Sequence, residues 1–136
     1  DGTREQWLAL VDKVLKGADF DRKLVSTTYD GIAIQPLLKA SVSDVPGKQT
    51  TVALASFAPG SSTGRHFHEG DEYATVLEGE VEVNVEGQAP RRLSAGMAYH
   101  NPKGVVHETR NVGRVPARIS TVLVIDQGRP LTTPAP

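Results

Sequence analysis

Residues 60–79, GSSTGRHFHEGDEYATVLEG, and residues 96–111, GMAYHNPKGVVHETRN, decide how this chain is read. His66 and His68 stand two apart. On an extended strand, residues i and i+2 share a face, so both imidazoles can converge on one point. Glu72 follows four residues after His68 and opens a strand-like run, and His107 lies far along the chain, just past the Pro102–Gly104 turn. Strands distant in sequence become neighbours in a barrel, so that separation is no obstacle. Three neutral imidazoles and one carboxylate supply the nitrogen and oxygen donors of a divalent-metal site. Taken singly, each residue has a plainer reading. A lone histidine on a strand is more often packed or at the surface than a ligand, and Glu72 sits beside Glu69 and Asp71 like an ordinary solvated acid. The surroundings must decide.

Outward from these stretches the pattern is that of short strands. Thr51–Ala58, Glu72–Leu77, Glu80–Val85, Met97–Asn101, Val106–Asn111 and Ala117–Ile125 read as strands separated by turns such as Pro59-Gly60, Glu78-Gly79 and Glu86-Gly87. Val81, Val83 and Val85 alternate with Glu82 and Asn84, the period of a half-buried strand. Upstream, Leu24–Thr28 and Ile32–Leu37 look extended around Asp30-Gly31. Pro36 lacks a ladder donor and predicts an edge position. Residues 41–49 read as a loop, and Arg129–Pro136, with three prolines, as a mobile tail. Residues 3–16 predict a helix. Thr3 and Gln6 form a capping box, Trp7, Leu8, Val11, Val14 and Leu15 an apolar stripe, and Gly17 a stop. The stripe must cover a barrel, a second subunit or another protein. The predicted organisation is a helix and extended arm over 1–38, a barrel over 39–128 and a tail over 129–136. The predicted class is an all-β closed barrel or jelly roll with an N-terminal α-helix.

Composition narrows the function classes. The chain has 136 residues, with 15 Lys and Arg against 16 Asp and Glu, a near-neutral balance that argues against a nucleic-acid binder, which would show a basic face. No apolar run is long enough to span a membrane as a helix. With no cysteine, disulfides, thiolate metal sites and cysteine nucleophiles are excluded. The N-terminal residues show no secretory-signal pattern. A cytoplasmic location is therefore the expectation, and the start at Asp1 leaves a removed export signal open.

The two stretches resemble the two cupin motifs. Residues 60–79 fit G-x5-H-x-H-x3-E-x6-G, and residues 96–111 fit G-x5-P-x-G-x2-H-x3-N, with all ten fixed positions present. The resemblance covers roughly residues 40–128 and is to small single-domain cupins. It implies an antiparallel barrel of six to eight strands holding a divalent metal, and it carries the family's ligands onto His66, His68, Glu72 and His107. Three histidines and one glutamate leave two positions open on an octahedral ion, which suits Fe, Mn, Ni or Co better than four-coordinate Zn. With a divalent ion and one ionised Glu72 the formal site charge is +1, so an oxygen-donor ligand such as an enolate or carboxylate would be attracted. Glu72 serves as ligand or, having left the metal, as a base. Ala74 and Val76 should share its face, Phe67 should point away from the metal, and Arg65 and Tyr99 are expected at the mouth. His100 occupies a variable position, and its face is not legible.

Residues 7–37 resemble a second family. Trp7, Leu15-Lys16-Gly17, Phe20, Leu24, Thr28, Asp30-Gly31-Ile32, Ile34 and Pro36-Leu37 look like the segment that precedes the barrel in methylmalonyl-CoA mutases. The cobalamin and CoA domains have no counterpart here, so no cobalamin is expected. The segment reads as a cover for the sheet, swapped between subunits, or as a docking arm. Two functions follow from the cupin resemblance. One is a metal-dependent enzyme on a small oxygen-donor molecule, with dioxygenase chemistry ahead of isomerase or lyase chemistry. The other is a non-catalytic metal or ligand sensor with the N-terminal helix as its partner arm. Small cupins commonly pair, so a homodimer is expected, with a small-molecule ligand and neither nucleic acid nor membrane as partner.

Overall fold

A computed structural model of the chain describes residues 31–136. The predicted helix over 3–16, the extended run Leu24–Thr28 and most of the mutase-like segment lie outside the described residues.

The described residues form strands β1 (Ile32–Ser41), β2 (Lys48–Phe57), β3 (His66–Phe67), β4 (Gly70–Glu78), β5 (Glu80–Val85), β6 (Arg91–Ser94), β7 (Ala98–Asn101), β8 (His107–Asn111), β9 (Ala117–Asp126) and β10 (Thr133–Pro134). They make two five-stranded sheets, ordered β1-β2-β9-β4-β7 and β10-β3-β8-β5-β6. Every pairing is antiparallel. The fold is thus the all-β, two-sheet jelly roll that the motifs predict.

Alternation places the side chains. Along β9, Ala117, Ile119, Thr121, Leu123 and Ile125 are buried and the residues between them are partly exposed. Val81 and Val83 of β5 do the same from the opposite sheet, and both join Val76, Ile119, Phe57 and Tyr99 in one core. Each buried aliphatic side chain of this size contributes about 1.5–3 kcal/mol by leaving water. Pro36 lies on the edge strand β1, and the β1–β2 register slips between Pro36 and Leu38. The missing N–H and the slip belong together, since a proline at an edge breaks no essential ladder bond.

Several boundaries differ from the sequence expectation. β1 runs on to Ser41 and β2 begins at Lys48, so the loop is shorter than 41–49 and the divide drawn at residue 38 falls inside β1. β6 carries a single buried apolar residue, Leu93, too little alternation to be seen in advance. Two glycines are essential to the sheet. At Gly79 the chain turns with φ of 79°, and an added Cβ would lie 2.9 Å from Ala117. At Gly70 an added Cβ would overlap the Val124 carbonyl of the adjoining strand. Asn111 locks the neighbouring corner. Its buried amide donates to Phe57 O at 3.1 Å and Val115 O at 2.9 Å, and its Oδ1 accepts from Gly113 N at 2.9 Å.

Candidate metal centre

β3 delivers His66, and His68 follows immediately after it. β8 opens with His107, which pairs directly with His66 across the ladder. All three imidazoles are buried, and their ligand atoms lie within 4.8 Å of one another. The geometric convergence read from the i, i+2 spacing is present. Phe67, between the two histidines, is less buried than either.

Each ring is held from behind by a backbone carbonyl. His66 Nδ1 lies 2.9 Å from Gly64 O, His68 Nδ1 2.7 Å from Leu131 O, and His107 Nδ1 3.0 Å from Val105 O. A carbonyl oxygen can only accept, so each Nδ1 carries the proton. In the neutral rings, therefore, Nε2 presents its lone pair to the centre. His68 Nε2 and His107 Nε2 are buried without a hydrogen-bond partner among the described residues. Buried polar atoms are rarely left so.

Glu72 on β4 comes from the other sheet. Its Oε1 is 3.4 Å from His68 Nε2 and 3.3 Å from His107 Nε2, so the carboxylate faces both ring nitrogens. Asn101 Nδ2 donates to Oε1 at 2.8 Å, and Thr121 Oγ1 donates to Oε2 at 2.7 Å. Burial alone would raise the carboxyl pKa. The His107 and His68 imidazoles and the Asn101 amide outweigh it and hold Glu72 well below the usual carboxylate range. Burial and the neighbouring His107 lower His66 to about 4, against the opposing pull of Gly64 O. Burial would also lower His68, but the adjacent Glu72 carboxylate prevails and raises it. A carboxylate ringed by inward lone pairs needs a positive charge. A divalent cation accepting the inward Nε2 lone pairs would supply it.

His66, His68 and Glu72 line one side of a cavity of about 80 Å³. Ile34, Ala53, Ala55, Phe57, Ile119 and Leu123 supply much of its wall, together with Leu131 and Thr132 of the carboxy-terminal segment. That segment is not the loose tail its prolines predict. Thr133 and Pro134 pair with Phe67 and His66, and Ala135 N donates to Arg65 O at 2.9 Å. Ala74 and Val76 are buried on the face of Glu72, as the alternation requires, but the cavity wall comes mainly from β1, β2 and β9. Tyr99 is buried against the cavity. Arg65 instead faces outward and pairs with Glu86 at 2.9 Å. His100 also points outward, stacked on Tyr73 at 4.8 Å and 3.2 Å from Asp71 Oδ1, so it takes no part in the centre. Sequence reasoning missed Asn101, Thr121 and the Leu131 carbonyl. Only Thr121 carried a signal, a hydroxyl interrupting the inward apolar series of β9.

Comparison with known proteins agrees with this architecture. The E. coli regulator "HTH-type transcriptional regulator PuuR" is 33% identical over 75 residues, covering 54% of this chain and 40% of PuuR. The Arabidopsis thaliana "Germin-like protein subfamily T member 2" is 34% identical over 106 residues, covering 72% of this chain and 47% of that protein. The chain thus spans less than half the length of either. Among solved structures, recombinant oxalate oxidase in complex with glycolate superposes with a TM-score of 0.62 at 26% identity, covering 90% of this chain and 67% of that one. The family described as "Cupin domain" matches residues 53–126, more than half the chain, and the chain belongs to that family.

Proposed function

We propose that this chain is a metal-dependent enzyme acting on a small oxygen-donor molecule, with His66, His68, His107 and Glu72 as the ligands of one divalent ion and dioxygenase-type chemistry as the leading reaction class. The observation that carries the reading is the pair of buried, unpartnered Nε2 atoms of His68 and His107 beside an ionised carboxylate at a cavity wall. The likeness to oxalate oxidase supports it. A bound ion would supply Lewis acidity and open positions for an oxygen donor. The protein's own part is positioning. The Gly64, Leu131 and Val105 carbonyls fix the three rings, and Asn101 and Thr121 each hold one oxygen of Glu72. With both oxygens so held, Glu72 is better placed as a fixed ligand than as a carboxylate that swings away as a base. The apolar wall keeps water from the reacting molecule.

The similarity to PuuR favours a second reading, a ligand-sensing domain, over a matched 75 residues. Metal analysis of protein purified without added metal, beside His66→Ala and His107→Ala, tests the centre. A divalent ion at near-unit stoichiometry is expected in the parent, with sharp loss in both variants. Unchanged content in the variants would refute the ligand assignment. Oxygen uptake by iron-loaded protein across β-diketones, flavonols and thiols then separates the enzyme from the sensor, and silence across the panel favours the sensor.

A further inference from the structure

Resting on the metal-centre reading, the lining of the cavity narrows the ligand class. We propose that the site takes a small chelating monoanion with a hydrocarbon body, such as a short-chain 2-oxo acid, and discriminates against dianions. Among the described residues, the wall away from the imidazoles and Glu72 is mostly aliphatic and aromatic, with four threonines, and neither lysine nor arginine lines it. The hydroxyls give little relief. Thr63 Oγ1 donates to Gly64 O at 2.8 Å and Thr121 Oγ1 to Glu72 Oε2 at 2.7 Å, so those two donors are committed, and the neutral hydroxyls of Thr109, Thr132 and Tyr99 bring no positive charge to balance a second carboxylate. A divalent ion with ionised Glu72 has formal charge +1. One bound carboxylate neutralises it, whereas a dianion leaves a net negative charge against hydrocarbon, where uncompensated charge is strongly disfavoured. Size points the same way. The cavity of about 80 Å³ is smaller than the roughly 150 Å³ that holds a benzene ring, so the body is limited to a few carbons. Ala55 lies between Ile34 and Ile119 in the strand register, where a larger side chain would occupy the space that body needs.

The test is calorimetric titration of the Mn(II)-loaded protein with 2-oxobutyrate and with oxalate, each affinity divided by that ligand's affinity for aqueous Mn(II). The division removes the intrinsic strength of each chelate. Metal content and the Mn(II) spin-resonance spectrum are read in parallel. The expected result is a normalised preference for 2-oxobutyrate of about tenfold or more. Ala55→Leu should retain the metal and weaken 2-oxobutyrate by a similar factor. A normalised preference for oxalate overturns the inference, whatever the variant does. So does an Ala55→Leu protein that keeps its metal and binds 2-oxobutyrate undiminished. A protein that takes up no divalent ion overturns the metal centre and this inference with it, which distinguishes the two failures.

Discussion

Thr121→Val isolates the support of Glu72 from its role as a ligand. Valine nearly matches threonine in shape, so the change removes one donor and leaves the packing of β9 in place. The lost bond is Thr121 Oγ1 to Glu72 Oε2, 2.7 Å long, in a site where Thr121 is 8% exposed. Asn101 reaches only Oε1, so it does not compensate for Oε2. A hydrogen bond to a charged group is worth about 1.5–3 kcal/mol, and leaving the buried acceptor unsatisfied costs in the same range. The apo protein should therefore lose roughly 1.5–3 kcal/mol in urea unfolding with an unchanged slope. Metal affinity should fall about 10–100-fold, the usual effect of losing an outer partner of a metal ligand, measured by competition with a chelator. Thr121→Ser restores the hydroxyl and should recover most of the affinity. If Thr121→Val binds metal as tightly as the parent, the hydroxyl does not position Glu72.

Three further outcomes are expected. The metal-free protein should lose stability as pH falls from about 6.5 to about 4, because His66 holds its proton less well in the folded chain than in the unfolded one. That contribution is on the order of 3 kcal/mol. His68, whose pKa is raised, works in the opposite direction, and its contribution is lost as pH rises above that range. His66→Gln should flatten the acid limb of the stability profile, and an unaltered limb would show that another group causes it. Gly70→Ala should destabilise by about 3 kcal/mol or more, since the new Cβ meets the Val124 carbonyl, and denaturant titration would read the loss. Truncation after Arg129 removes the Leu131 carbonyl behind His68. It should lower metal affinity roughly 10–100-fold while cooperative unfolding persists, and equal affinity would deny the segment any part in the site.

What was legible in the sequence was whatever obeys a short period or a fixed spacing. Alternation along Val81–Val85 and Ala117–Ile125 marked inward faces. The i, i+2 spacing of His66 and His68 placed two rings on one side, and Pro36 announced an edge. These are local consequences of backbone geometry, and they need no knowledge of the partner strand. His100 shows the limit. Period two put Tyr99 and Asn101 on one face and His100 on the other, but only the pairing of β7 with β4 decides which face is inward. The proline-rich end misled because composition reports a chain's own preferences, not the strand waiting to pair with it.

The sequence by itself determined the all-β class, the turns, and the residue types able to bind a divalent ion, because hydrophobic period and side-chain chemistry are properties of the chain alone. Tertiary structure decided what surrounds them. It set Asn101 and Thr121 on the two oxygens of Glu72, put the Leu131 carbonyl behind His68, and lined the cavity with the aliphatic residues of β1, β2 and β9. Each of those contacts joins residues far apart in sequence, and their proximity exists only once strand register and sheet order are fixed.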